Sequence, residues 1–246
     1  MKILVSDLDN DIILNGNEQI ESIKKFTREG NIFICASDKA INYIADQLSL
    51  IDINIEYFIC NDGGAIFDKY YNIIFRKDMR SEVVRPIINM LKDDDNILET
   101  FIDTTHGFVT DTDKCANGIV ARPFDKEKAE LLLNKIVLKY PSIHGHVNDN
   151  WLNIIDVEVN KKNALDYLIE NYRLNKDDIY VLGTGINDLE MVENFKSYVL
   201  KDSKEDLKKF AIKEVNNISE IIDILLNEKE NINNNDYVDD IEPYFE

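Results

Sequence analysis

Two apolar runs break off abruptly into carboxylates and glycine, and these two breaks constrain the chain more than any other feature. Ile3-Leu4-Val5 leads through Ser6 into Asp7-Leu8-Asp9-Asn10-Asp11. Ile179-Tyr180-Val181-Leu182 leads into Gly183-Thr184-Gly185-Ile186-Asn187-Asp188. Short unbroken apolar runs of this kind read as strands buried on both faces, the pattern of a parallel sheet. Ligands of an open parallel sheet bind outside the carboxyl ends of its strands, so both breaks are expected at one crevice. Several carboxylates converging there repel one another unless a cation joins them, and hard divalent ions take oxygen ligands. The expectation is a magnesium-dependent site.

The rest of the chain fits an α/β architecture. Residues 2–6, 31–36 and 57–60 read as strands, alternating with helices over 18–29 and 39–49. A hairpin of Ala65–Asp68 with Asn72–Arg76 follows the turn Asn61-Asp62-Gly63-Gly64. Alternation of this kind implies right-handed crossovers and a doubly wound, Rossmann-like parallel sheet. The pattern then changes: a helix over 79–92 bent or restarted at Pro86, a strand at 97–102, a helix at 125–139 entered through Asp125, and strands at 143–148 and 152–158. These elements suit an antiparallel sheet with helices on one face. The parallel pattern resumes with helix 161–172, strand 179–183, helix 187–195, strand 197–200 and helices 203–210 and 217–228. The expected division is a core of 1–77 with 158–229, an inserted α+β cap of 78–157, and a tail of 230–246. That tail has six acidic residues and no basic one, the composition of an unstructured solubilising segment.

The net charge of −19 argues against nonspecific binding to nucleic acid or to anionic membranes. It also makes capture of an anion a local problem, so a phosphate site must bring its own metal, lysine and backbone amides. Three cysteines without a CxxC pair, no signal peptide and no membrane-length apolar run fit the cytoplasm. Cys35 and Cys60 sit in apolar strands, where buried thiols are expected.

Asp7 and Asp9 stand two apart at a strand end, which starts their side chains on one side. For phosphoryl transfer one carboxylate attacks phosphorus while its neighbour, held protonated, donates to the leaving oxygen. Ser37 ends the second strand with a hydroxyl placed to bond a phosphoryl oxygen. Lys161 opens a helix, where it would neutralise phosphate beside the helix amino terminus.

This ordered set, Asp-x-Asp, a strand-ending Ser, a helix-opening Lys and Gly-x-Gly-x-Asn-Asp, resembles the haloacid dehalogenase-like phosphohydrolases over residues 1–228. The Asn61-Asp62-Gly63-Gly64-Ala65 turn and the insert between Ser37 and Lys161 look like the Cof-type, subfamily IIB branch. The resemblance implies Asp7 as the nucleophile that becomes an aspartyl-phosphate and Asp9 as the general acid and base. Ser37 would bind the phosphoryl group and Lys161 would balance charge. Asp7, Asp9 and Asp188 would serve the metal, and Asn61 and Asn187 would join Ser37 and Lys161 in binding substrate. The implied substrate is a small phosphorylated metabolite, with sugar phosphates among the candidates. From the cap, His106, Arg122, His146 and Trp151 are candidates for facing the crevice.

The sequence departs from the family pattern at four places. Asn10-Asp11 replaces Gly-Thr, Ser37-Asp38-Lys39 replaces Thr-Gly-Arg, and Lys201-Asp202-Ser203 replaces a Gly-Asn-Ala turn. Most consequentially, Thr184 stands where the fourth motif carries an Asp that binds magnesium directly. A hydroxyl in that position weakens magnesium binding. Three functions therefore stay open: a phosphatase, a catalytically impaired binder of a phosphometabolite or protein, and a phosphomutase-like transferase. Oligomeric state is not legible.

Overall fold

The computed structural model describes residues 1–7, 17–110, 115–148 and 150–235. The expectations for Asp9, Asn10 and Asp11, and for the tail beyond Asn235, lie outside the described residues.

The main sheet holds β1 (Ile3–Ser6), β2 (Ile32–Ala36), β3 (Tyr57–Cys60), β4 (Ala65–Asp68), β5 (Ile73–Arg76), β11 (Ile179–Gly183), β12 (Lys196–Leu200) and β13 (Lys213–Val215). Their spatial order is β13-β12-β11-β1-β2-β3-β4-β5. The first six in that order run parallel, and β4 and β5 turn back as an antiparallel edge. Alternate residues of the central strands feed two separate cores, as the period of a strand requires. Leu4, Phe33 and Cys35 pack with α1 (Asn17–Arg28), α2 (Ile41–Leu48) and α8 (Ile218–Asn235) through Phe26, Ile44 and Ile222. Ile3, Val5, Ile34 and Ala36 pack the other way, against Leu165 and Leu168 of α5 (Lys161–Tyr172) and Met191 of α6 (Leu189–Asn194). Both faces of β1 are therefore dry, which explains its unbroken apolar sequence.

A second sheet, antiparallel throughout, is formed by β6 (Ile97–Thr104), β7 (Gly107–Val109), β8 (Gly118–Pro123), β9 (Ile143–Asn148) and β10 (Trp151–Asp156), in the order β7-β6-β8-β10-β9. One face carries Ile102, Ile119, Ala121, Leu152 and Ile154. It is covered by Ile87 and Leu91 of α3 (Ser81–Lys92) and by Leu132 and Ile136 of α4 (Lys126–Lys139). Asp125 caps α4, its side chain accepting the Lys128 N–H. The opposite face holds Phe101, Asp103, His146 and Asn153, and it turns toward the main sheet, since Asp103 and His146 reach Asn61 and Asp62 there.

Several boundaries differ from those expected. β7, β8 and β13 are strands that the sequence reading left as loop. β7 and β13 are only three residues each, too short for period-two alternation to register. α3 continues through Pro86 without a break. α8 runs to Asn235, seven residues past its expected end, so the first part of the presumed tail is helical. Leu225 and Leu226 anchor that helix in the core, and its backbone bonding propagates beyond the last apolar turn.

Candidate active site

Register brings the sequence motifs to one level. Ser6 lies opposite Leu182 on one side and Cys35 on the other. Asp7, the Gly183-Thr184 turn and Ser37 consequently leave the sheet side by side at its carboxyl edge. Lys161 reaches the same edge from α5, whose cap Asn160 accepts the Asn163 N–H through its side chain.

The floor of the crevice is a buried charge cluster. Lys161 Nζ donates to Asp7 Oδ2 and to Asp188 Oδ1, both at 2.7 Å. The lysine side chain has no solvent exposure and the two carboxylates essentially none. Burial alone would lower the lysine pKa, but the charges of Asp188, Asp7 and Asp62 outweigh it and hold the ammonium well above its ordinary value. The second Asp188 oxygen accepts the backbone N–H groups of Thr184, at 2.8 Å, and Gly185, at 3.0 Å. Asp188 thus orients both Lys161 and the fourth-motif loop. Ser37 is buried nearby, its Oγ accepting the Lys39 N–H at 3.1 Å, which leaves the hydroxyl hydrogen to donate.

A strained turn joins floor to roof. Asn61, Asp62 and Gly63 all have positive φ, at 51°, 54° and 100°. Left-handed non-glycine residues cost on the order of 1–3 kcal/mol each and persist where the surroundings hold them. Here the Asn61 N–H donates to the Lys39 carbonyl and the Asp62 N–H to the Ser37 carbonyl. Asp62 Oδ1 accepts from Asn187 Nδ2 at 2.9 Å, tying the turn to the fourth motif. A side chain on Gly63 would collide with the Asn160 carbonyl, so the glycine lets this turn lie directly against the residue before Lys161.

The roof is the polar face of the second sheet. Asn61 Nδ2 donates to Asp103 Oδ2 at 2.7 Å and to the Thr104 carbonyl at 3.2 Å. Burial raises the Asp103 carboxyl to about 7; the Asn61 bond opposes the rise and the charges of Asp62 and Asp38 add to it. His146 Nε2 lies 3.6 Å from Asp62 Oδ2 and 3.3 Å from Asn153 Nδ2. His144 Nε2 donates to the Val159 carbonyl, in the segment leading to Lys161, at 2.7 Å.

The structure therefore brings Asp7, Ser37, Asn61, Lys161, Asn187 and Asp188 together. Of the cap candidates, His106 and Trp151 line a cavity beside Asp38, and His146 sits over Asp62. Arg122 instead pairs with Glu99 at 3.2 Å, both side chains nearly half exposed. Asp62 and Asp103 were not singled out from sequence. A charged residue alternating with Phe101 and Ile102 in a strand, and an Asn-Asp-Gly-Gly turn, were the signals available.

No group of three or more His, Cys, Asp or Glu that could hold a metal is present among the described residues. The donors among the described residues suit a water-rich magnesium site anchored on Asp7. Asp188, expected among the metal ligands, has both oxygens engaged by N–H donors, and Thr184 offers a hydroxyl. Magnesium commonly keeps several waters and takes one or two carboxylates, so Asp7 meets the minimum.

A parallel sheet with an acidic, lysine-bridged carboxyl edge beneath an inserted antiparallel sheet defines a capped α/β phosphotransfer fold. The sequence matches the haloacid dehalogenase-like hydrolase family over residues 4–140 and 120–223, and the chain belongs to that family, in its Cof-type branch. It is similar to an uncharacterized protein of Mycoplasma capricolum, 25% identical, the match covering 89% of this chain and 98% of the relative. Among solved structures, a haloacid dehalogenase-like hydrolase from B. subtilis superposes with a TM-score of 0.80 at 14% identity, covering 92% of this chain and 100% of the other. A HAD subclass IIB sugar phosphatase superposes with a TM-score of 0.75 at 15% identity, covering 92% and 99%. No helix among the described residues is long and apolar enough to cross a membrane.

Proposed function

We propose that the protein hydrolyses a small phosphorylated metabolite in the cytoplasm, with magnesium as cofactor. The observation that carries this reading is the single lysine bonded at 2.7 Å to both Asp7 and Asp188 at the carboxyl edge of the sheet. Lys161 holds Asp7 ionised and aimed, which is what a carboxylate nucleophile needs. Asp7 attacks phosphorus and forms an aspartyl-phosphate as the alcohol departs. Asp9 is assigned to protonate the leaving oxygen and then to activate the water that releases phosphate. Ser37 donates to a phosphoryl oxygen, and Asn61 and Asn187 complete the polar wall around it. The roof excludes bulk water, which strengthens each of these interactions. Magnesium, held by Asp7 with Asp9, would neutralise charge on the phosphoryl group.

The test is phosphate release from a broad panel of phosphomonoesters across a magnesium titration, with Asp7→Asn as the control. Magnesium-dependent release that vanishes in the variant is expected. Silence of the wild type over the whole panel would sink the hydrolase reading and favour a binding protein. Thr184 is the observation favouring that second reading, because it removes a carboxylate from the metal side of the site. Phosphate handed to an added sugar instead of water would reassign the protein as a transferase.

A further inference from the structure

Asp62 stands where four parts of the site meet. Its N–H donates to the Ser37 carbonyl, and its neighbour Gly63 lies against the Asn160 carbonyl. Its Oδ1 accepts from Asn187 Nδ2 at 2.9 Å, and His146 of the roof lies 3.6 Å from its Oδ2. The approach of His146 is longer than a hydrogen bond. The bond to Asn187 is therefore the direct hydrogen bond of the Asp62 side chain among the described residues.

Nothing in the backbone of the turn calls for a carboxylate at this position. Asp62 has a φ of 54°, which glycine adopts without steric cost. Its charge also adds to a floor that already holds Asp7 and Asp188, in a chain of net charge −19 that repels an incoming phosphate. What the carboxylate does supply is an orientation for Asn187. An ionised carboxylate only accepts, so the amide must turn its Nδ2 toward Asp62 and its Oδ1 away. One Nδ2 hydrogen is engaged there, and the second is left with a set direction. Asp62 is 4% exposed and Asn187 is half-buried. Both border a cavity of 160 Å³ between the fourth motif and β9, so the amide is the more accessible member of the pair.

We propose that Asp62 is a positioning residue, which through its bond to Asn187 makes that amide a hydrogen-bond donor to a bound phosphoryl oxygen. The inference rests on the phosphomonoester reading for the place of Asn187 beside phosphate. Asp62 itself touches neither phosphate nor nucleophile in this role.

The sign of one affinity separates positioning from plain charge. Inorganic phosphate is the probe, titrated by calorimetry with magnesium present. Charge alone predicts that deleting a carboxylate beside an anion site tightens phosphate. Positioning predicts the reverse: Asp62→Gly, which suits the left-handed turn, should weaken phosphate about five- to tenfold, and Asn187→Ala about tenfold. The double variant should bind within about twofold of Asn187→Ala, because the Asp62 substitution then has nothing left to act through. Asp62→Asn drops the charge but keeps an oxygen for the Asn187 amide, and it should bind phosphate at least as tightly as wild type. Where wild type turns over 4-nitrophenyl phosphate, the same cycle is read on kcat/KM.

Unchanged or tighter binding by Asp62→Gly, additive losses in the double variant, or an Asp62→Asn protein as weak as Asp62→Gly would overturn the proposal. Phosphate release from the ester panel, run in parallel, keeps the two readings apart. Coupled binding losses without release keep Asp62 in its role within a binding protein and remove the hydrolase; release with additive losses does the reverse. A wild type that neither binds nor releases phosphate overturns both.

Discussion

The floor and the roof of the crevice treat buried charge in opposite ways. On the floor, Lys161 bridges Asp7 and Asp188, and Asp188 spends its remaining oxygen on two loop N–H groups. On the roof, Asp103 is equally buried, but its side-chain partner is the neutral Asn61, and Asp103 Oδ1 has no donor among the described residues. A buried acid paired with a cation stays ionised, whereas one facing amides and other acids is pushed toward its neutral form. The floor's ion pairs are thus in place before a ligand arrives. Unmet acceptors occur on both sides, at Asn187 Oδ1 as well as at Asp103 Oδ1, so the contrast lies in the counter-charge that Lys161 gives to the floor.

The sharpest way to break this contrast is to remove the lysine. Lys161→Met leaves Asp7 and Asp188 facing each other without a counter-charge in a dry site. Breaking a buried pair from one side costs about 3–5 kcal/mol, so denaturant unfolding should show a loss of that size. Turnover should fall by on the order of 10³ or more, as for removal of a principal electrostatic group. A variant with unchanged stability would mean that the cluster is not buried as described.

Asp103 tests the other half of the comparison. An acid whose pKa rises from 3.8 to about 7 on folding binds its proton more tightly in the native state. Its contribution to stability is therefore full below the unfolded pKa, falls as pH rises through the interval, and levels off above about 7. The fall amounts to at most about 4 kcal/mol by linkage. Unfolding free energies of wild type and Asp103→Asn between pH 4 and 8 should converge at the acid end and diverge toward neutrality, with the variant the more stable there. Parallel profiles would show that Asp103 is ionised throughout.

How much of this was legible beforehand follows the same division. The floor could be read because its residues stand at the ends of long apolar strands, and the register of a parallel sheet then aligns them. β1, β11 and the opening of α5 fell where apolar periodicity put them. The roof could not be read so far. β7 is three residues long, and β8 emerges from a polar stretch. The roles of Asp62 and Asp103 depend on contacts across 42 and 125 residues of chain, Asn61 to Asp103 and Asp62 to Asn187. No local pattern encodes contacts of that separation. The final helix was cut short because Asn-Ile-Asn-Asn-Asn carries no apolar stripe, although helical bonding needs none once packed turns have nucleated it.

The turn between the two regions offers a smaller test. Gly63→Ala adds a methyl where the Asn160 carbonyl lies, at a φ of 100° that alanine adopts only with strain. A destabilisation of about 1–3 kcal/mol is expected. Because Asn160 precedes Lys161, kcat should fall with it. The informative readout is activity measured well below the unfolding transition. Full kcat under those conditions would mean that the turn does not set the position of the lysine.

Thr184→Asp carries the smallest expected effect and sharpens the comparison most directly, because it adds an acid to the balanced floor. Thr184 Oγ1 already lies 3.5 Å from Asp188 Oδ2, so the new carboxylate would stand close to an existing one. Without metal the pair repels, and the chelator-treated variant should unfold more easily than wild type. With magnesium the added carboxylate supplies a hard oxygen ligand, and the metal affinity should rise about tenfold, equivalent to about 1.4 kcal/mol. Thermal unfolding across a magnesium titration checks both signs at once: a lower starting point, then a steeper recovery. A variant destabilised in chelator but unresponsive to magnesium would place the metal elsewhere in the crevice. One with higher affinity and unchanged turnover would show that wild-type Thr184 does not limit catalysis, and that the hydroxyl belongs to a site already adequate with Asp7 as its anchor.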